Sequence, residues 1–188
     1  MRTFVAIYPP LETRETLLRA ARDLLPEDVF RWTSPANVHL TLKFLGDTAE
    51  ESLPALRETL DVVCNRHEQF EIEPRGIGAF PSARKARIVW AGVGQGSASL
   101  LALAEDLEDS VAPLGFEKER RGFKPHITLG RARRRPGRLP EGTQTVKAPG
   151  FAARQIELVE SSPGKDGVAY STLSAHPLLR RPSEIDRE

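Results

Sequence analysis

A single cysteine, Cys64, among 188 residues leaves no intrachain disulfide and no thiolate zinc site to hold this chain together. No apolar run approaches the roughly 20 residues that a membrane-spanning helix needs. The opening MRTFVAIYPP is broken too early by Pro9 and Pro10 to read as a secretory leader. Excess charge is missing as well. The 27 Lys and Arg against 26 Asp and Glu leave +1, so bulk charge does not mark a nucleic-acid binder. Lysine is scarce, 6 against 21 arginines, but the skew runs along the whole chain and biased composition accounts for it. What these absences leave is a globular composition, 39% hydrophobic and 28% charged, sized for one domain or two small lobes packed as one. The expectation is a cytoplasmic monomer with no membrane partner.

The chain then shows regular patterning. TFVAIYPP reads as a strand stopped by two prolines, and ETRETLLRAARDLLP as a helix with Leu17, Ala20, Ala21 and Leu24 on one face. RWTSPANVHLTLKFLG reads as a turn running into a strand, and residues 49–66 as a helix with a Leu53, Leu56, Leu60 and Val63 stripe. FEIEPRGIGAFP is a broken strand and ARIVWAGV a further strand. SASLLALAEDLEDSVAPLGF is a helix with Leu100, Leu103, Leu107 and Val111 aligned. A strand through PHITLGRA, another over GFAARQIELVESS, a turn at SPGKDG and a last strand over VAYSTLSAHPL complete the chain. Residues 180–188 form a polar tail.

Within this pattern one word occurs twice, HLTL at 39–42 and HITL at 126–129, and each sits at the same place in a similar half. On a strand, residues i and i+2 share a face. His39 and Thr41 therefore point one way, as do His126 and Thr128, while Leu40, Leu42, Ile127 and Leu129 anchor the strands from behind. Two such halves, facing each other about a pseudo-two-fold axis, bring together two imidazoles and two hydroxyls. Histidine titrates near neutral pH, so one ring serves as general base and the other as general acid. The hydroxyls donate to non-bridging phosphate oxygens. In-line displacement at a phosphodiester needs that layout and no metal or other cofactor.

These paired words, with FVAIYPP, RW-x5-VHLTLKFLG, GIGAFP, ARIVWAGV and LGFEKERRGFKPHITLGRARR around them, resemble the 2H phosphoesterase superfamily. Within it they are similar to the bacterial and archaeal RNA 2′,3′-cyclic phosphodiesterases, historically called 2′-5′ RNA ligases. The resemblance implies an α+β fold: one bilobal domain over residues 1–179, with two pseudo-symmetric antiparallel sheets facing a central cleft and helices outside. It implies hydrolysis of RNA 2′,3′-cyclic phosphate ends to 2′-phosphate ends, with His39 as proton donor, His126 as proton acceptor, and Thr41 and Thr128 on the phosphate. The near symmetry of the words leaves the order of the histidines open. Reversible 2′-5′ ligation in the same site, or a nucleotide-binding module without turnover, are the alternatives. The implied partner is RNA with cyclic phosphate ends, tRNA fragments or small cyclic nucleotides among them.

Other candidates surround the words. Lys43 shares the face of His39 and Thr41 by strict alternation and would either contact substrate in the cleft or simply be solvated. Arg131 follows the second word; alternation points it away from His126, and a bulge after Gly130 would re-aim it. Residues 117–138 carry nine basic and two acidic side chains; a grip on an RNA backbone is the favoured reading, a solvated loop in an Arg-rich chain the alternative. For Phe44, Phe123 and Trp32 core packing is the default reading, with base stacking as the functional one. GVGQGS at 92–97 lacks the last glycine of a dinucleotide fingerprint and reads as a turn. SPGKDG is likewise a hairpin turn rather than a phosphate loop. His67 reads as a surface or capping residue, His176 as structural, and Cys64 as a small buried hydrophobe.

Overall fold

A computed structural model describes residues 1–164 and 167–180 of the chain. Thirteen helices and strands, a few single 3-10 turns aside, follow in order among them. These are β1 (Arg2–Ile7), α1 (Leu11–Leu24), β2 (Phe30–Trp32), β3 (Leu40–Asp47), α2 (Leu53–Cys64), β4 (Phe70–Ile72) and β5 (Pro74–Ser82) in the first part. β6 (Lys85–Val93), α3 (Ser97–Val111), β7 (His126–Ala132), β8 (Phe151–Ala153), β9 (Gln155–Gly164) and β10 (Gly167–Pro177) complete the order. The class is α+β, as the family resemblance implies. Two expectations differ in detail. Arg31 and Trp32, expected in a turn, belong to the short strand Phe30–Trp32, which forms because it pairs with β7. The segment expected as one strand over 150–162 breaks at Arg154 into β8 and β9, which join different sheets. Residues 181–188 of the polar tail, and Lys165 and Asp166 of the expected hairpin turn, lie outside the described residues.

The helices bury most of each predicted stripe, but on α1 Leu24 is exposed and Leu18 is buried instead, while Ala20 and Leu53 are only partly buried. α1 buries Leu17, Leu18 and Ala21, α2 buries Leu56, Leu60, Val63 and Cys64, and α3 buries Leu100, Leu103, Ala104, Leu107 and Val111. All of these except Ala104 belong to one apolar cluster, which also takes Leu40, Leu42, Ile127 and Leu129 from the backs of β3 and β7. Burial of this contiguous cluster is the dominant stabilising term, since each fully buried aliphatic side chain contributes about 1.5–3 kcal/mol. α3 packs against β3, whereas α1 reaches β7, so each crossover helix backs the other half's motif strand. At the start of α3, Gly96 has φ +90°, and a Cβ there would lie 2.5 Å from the Glu71 carbonyl oxygen. GVGQGS is thus the tight β6–α3 turn that its glycines suggest.

The main sheet runs β10-β9-β1-β3-β7-β6-β5, with β2 also on β7, and a small β4-β8 pair stands apart. All named pairings are antiparallel. The two expected antiparallel sheets are the halves β10-β9-β1-β3 and β7-β6-β5 of this main sheet. They join through one residue pair, Leu40 opposite Ile127. The join falls inside the two repeated words.

Candidate active site

Leu40 and Ile127 are both fully buried and opposite each other, so the residues flanking them emerge together on the other face of the sheet. An antiparallel register through that pair sets His39 toward Thr128 and Thr41 toward His126. The four side chains that the sequence singles out are thereby brought to one place. His39 Nδ1 donates to the Asn37 carbonyl at 2.7 Å, and His126 Nδ1 donates to the Lys124 carbonyl at 2.6 Å. In both words the acceptor lies two residues upstream. A carbonyl only accepts, so in each neutral ring the hydrogen sits on Nδ1 and the lone pair on Nε2. His39 Nε2 accepts from Thr41 Oγ1 at 3.0 Å.

Each histidine also has an aromatic wall. Phe4 stacks on His39 at 4.8 Å between ring centroids, Tyr170 meets it edge-on at 5.2 Å, and Tyr8 lies at 5.5 Å. Phe80 meets His126 edge-on at 5.1 Å, with Trp90 at 6.3 Å. These walls desolvate the imidazoles and disfavour the charged form. Burial pushes His39 down to about 4, against the Asn37 hydrogen bond that favours its cation, and His126 adds a smaller repulsion. Burial likewise holds His126 below the usual imidazole value, with the Lys124 carbonyl opposing. Tyr8 is pushed up to about 12 by burial and by nearby Glu157 and Tyr170, so it is a neutral wall and a hydroxyl donor at pH 7.

The aromatic walls escape a reading of the sequence because they come from other strands. Phe4 and Tyr8 follow the period of two along TFVAIYPP, which is the one local signal. Trp90 faces Thr128 across the β6–β7 ladder, and its ring lies over Gly78, where no Cβ would fit.

Both motif strands carry a β-bulge at the same letter. On β3, Thr41 pairs with Ala6 and Lys43 with Val5, leaving Leu42 as the extra residue. On β7, Thr128 pairs with Trp90 and Gly130 with Val89, leaving Leu129 extra. A bulge puts two successive residues on one face and inverts the alternation beyond it. Leu42 and Lys43 are accordingly both buried, as are Leu129 and Gly130. The expectation that Lys43 contacts substrate is corrected by this. The bulge turns its side chain to the helix side, where it is 2% exposed; Nζ donates to the Glu117 carbonyl at 2.6 Å and pairs with Glu108 of α3 at 2.8 Å. Arg131 is re-aimed the other way, onto the His126 face, by the bulge at Leu129, before Gly130 rather than after it. It lies opposite Arg31 of β2, and both side chains are exposed.

Of the aromatic candidates, Trp32 and Phe123 are partly buried against the core, Trp32 over Gly130. Phe44 is not core: it is 62% exposed. The remaining histidines are outside the site. His67 Nε2 lies 2.9 Å from Asp106 of α3, and His176, 2% exposed, bridges Asp61 at 2.6 Å and Ser174 at 2.9 Å between α2 and β10. Cys64 is buried and its thiol is pushed up to about 12 by burial and by Asp61. Among the described residues, no group of three or more His, Cys, Asp or Glu is arranged to hold a metal ion. No helix among them is long and apolar enough to cross a membrane.

Two anchored imidazoles thus stand side by side, and a family match gives their setting: the LigT-like phosphoesterase model matches residues 7–90 and 93–170. The chain belongs to the LigT-like phosphoesterase family. Among the relatives of this family member is an RNA 2′,3′-cyclic phosphodiesterase of Aeropyrum pernix, 35% identical over 142 residues, 73% of this chain and 80% of the relative. A protein of the same name from Archaeoglobus fulgidus is 31% identical over 156 residues, 83% of this chain and 86% of the relative. A crystal structure of a Thermus thermophilus protein superposes with a TM-score of 0.83 at 30% identity, covering 95% of this chain and 98% of that one. Escherichia coli LigT complexed with 3′-AMP gives 0.75 at 27%, covering 94% and 97%. This LigT-like chain therefore shares its fold over nearly its whole length with phosphoesterases, its two words included.

Proposed function

We propose that this protein hydrolyses RNA 2′,3′-cyclic phosphate ends to 2′-phosphate ends by two-histidine acid–base catalysis. The observation that carries the reading is the Leu40–Ile127 pair, which seats His39, Thr41, His126 and Thr128 on one face of two facing strands. Family membership and the names of the relatives support it. In this reading His126 Nε2 takes a proton from water as the water oxygen attacks phosphorus. The P–O3′ bond breaks, and His39 protonates the departing 3′-oxygen. Thr41 and Thr128 hold the non-bridging oxygens, and Arg131 faces the substrate from the far side of the second bulge. The reading needs no metal. It places a monomeric enzyme in the cytoplasm, acting on tRNA fragments, other RNA ends or small cyclic nucleotides; 2′-5′ ligation is the same chemistry with a 5′-hydroxyl in place of water.

A second reading reverses the two histidines, and the burial of His39 favours it. His39 is held down to about 4 in the free protein, so it is neutral at pH 7 and its lone pair is on Nε2. Such a group is a ready base. It acts as an acid only when the negative charge of the bound phosphodiester draws a proton onto it. The order is decided by the pH dependence of residual activity in His39→Ala and His126→Ala. Loss of the base removes the acidic limb of the profile, and loss of the acid removes the alkaline limb.

The test of the function is a short RNA ending in 2′,3′-cyclic phosphate, incubated in chelator with the wild type and with His126→Ala. A 2′-phosphate product that the variant does not form supports the reading. A 3′-phosphate product reverses the leaving group. Binding without turnover moves the assignment to a nucleotide-binding module.

A further inference from the structure

The bulge at Leu42 has a second effect besides burying Lys43. It turns Phe44 onto the face of His39, where its ring lies 6.3 Å from Phe4, the ring stacked on His39. At 62% exposure Phe44 is the most exposed large apolar side chain among the described residues. An aromatic ring left in water on a rigid strand, in line with a catalytic imidazole, offers an open π-face. Phe4 offers none, because it is 3% exposed.

Phe44 also forms one wall of a groove of about 830 Å³, shared with Gly46, Thr48, Phe116, Arg120 and Arg121. The segment 116–121 is pinned by Lys43, which holds the Glu117 carbonyl, and by Lys118, whose ammonium lies 2.6 Å from Asp109. Arg120 and Arg121 are exposed and have no partner among the described residues. Asp47, Glu117 and Glu119 share the wall, so bulk charge does not make the groove a general polyanion site. Recognition there rests on the ring and on the two arginines.

An RNA that ends in a 2′,3′-cyclic phosphate continues only on its 5′ side, and that strand needs a path away from the histidines. We propose that the groove is this path. Phe44 stacks the base of the nucleotide 5′ to the cyclic phosphate, and Arg120 and Arg121 hold the phosphate upstream of it. The inference rests on the reading above, that cyclic phosphate ends are the substrate, and names the part of the RNA that the enzyme uses besides its end.

The experiment compares kcat/KM on adenosine 2′,3′-cyclic phosphate with that on dinucleotides and trinucleotides ending in the same group. Wild type gains about tenfold from the mononucleotide to the dinucleotide, the order of one base–aromatic stack. Phe44→Ala removes most of that ratio and Phe44→Trp keeps it. Arg120→Ala with Arg121→Ala lowers the trinucleotide-to-dinucleotide ratio instead. Phe44→Ala reducing all three substrates equally overturns the proposal, because the ring then serves the terminal nucleotide. A wild type with no gain in length overturns it too, while leaving hydrolysis established. A wild type that opens none of the three removes the functional reading and the proposal together.

Discussion

The two HxTL words are alike in backbone and unlike in the residues just beyond them. Each has a histidine anchored through Nδ1 to a carbonyl two residues upstream, and each has a bulge at its final leucine. Past the bulge the same two positions are filled differently. The first, turned inward, is Lys43 in one half and Gly130 in the other; the second, turned to the site, is Phe44 in one and Arg131 in the other. The like backbones thus place the two imidazoles in the same way, while the positions next to them differ, aromatic on one side and cationic on the other. An RNA end is itself asymmetric, with a strand on one side of the phosphate and none on the other. Under the proposed function, the symmetric part would do the proton chemistry and the asymmetric part would set substrate direction.

The comparison breaks most severely if the histidines are unequal. Replacing either one by alanine is expected to lower kcat by roughly a thousandfold, the usual scale for a lost general acid or base. Steady-state assays on a cyclic phosphate end check this. One variant retaining a tenth or more of the wild-type rate would mean that a single histidine carries the reaction.

The inward positions come next. Lys43→Ala removes the cation from a buried pair and strands Glu108 and the Glu117 carbonyl, at a cost of about 3–5 kcal/mol. Gly130→Ala puts a Cβ 2.7 Å from the Trp32 ring and costs about 1–3 kcal/mol through overpacking. Urea unfolding of the two variants gives both numbers. A loss below about 1 kcal/mol for Lys43→Ala would show that the ion pair is not what fixes the first bulge.

The unequal burial of the histidines has its own signature. The folded protein holds His39 near 4, below the ordinary 6.5, so the folded state binds fewer protons than the unfolded one between those values. The stabilisation is whole above pH 6.5 and is lost as pH falls toward 4, to a total of about 3 kcal/mol. His39→Gln should flatten that part of the wild-type stability curve. His126→Gln should act in the same direction, since burial also lowers His126. Parallel curves for wild type and His39→Gln between pH 6.5 and 4.5 would rule out the buried neutral imidazole.

The sequence carries the helices and the words plainly, because their periods are local. The 3.6-residue stripes of α2 and α3, and the alternation within HLTL and HITL, need no knowledge of neighbours. The bulges are different. Alternation past Leu42 predicts Lys43 on the site face, and only the ladder to β1, where Val5 takes Lys43 as partner, shows why it turns inward. The aromatic walls are hidden for the same reason: Phe80, Trp90 and Tyr170 reach the histidines across strand pairings far apart in the chain. Even the short strand at Phe30–Trp32 is set by β7 rather than by its own three residues.

Arg131 sharpens the comparison with the smallest effect. It occupies the position of Phe44 in the other half, turned to the site by the equivalent bulge and set opposite Arg31. Arg31→Ala should matter less, because its guanidinium lies against Gly167 of β10 rather than being wholly given to the site. If Arg131 contacts phosphate or stacks on a base, its planar fork matters and not only its charge. Arg131→Ala is therefore expected to lower kcat/KM about tenfold, and Arg131→Lys to recover only part of that loss. The effect should already be present on adenosine 2′,3′-cyclic phosphate, whereas the Phe44→Ala effect should appear only when a second nucleotide is added. Opposite dependence on substrate length is what two diverged sides of one symmetric pair must give. If both variants respond to length in the same way, the two sides serve one function, and divergence around the bulges does not set substrate direction.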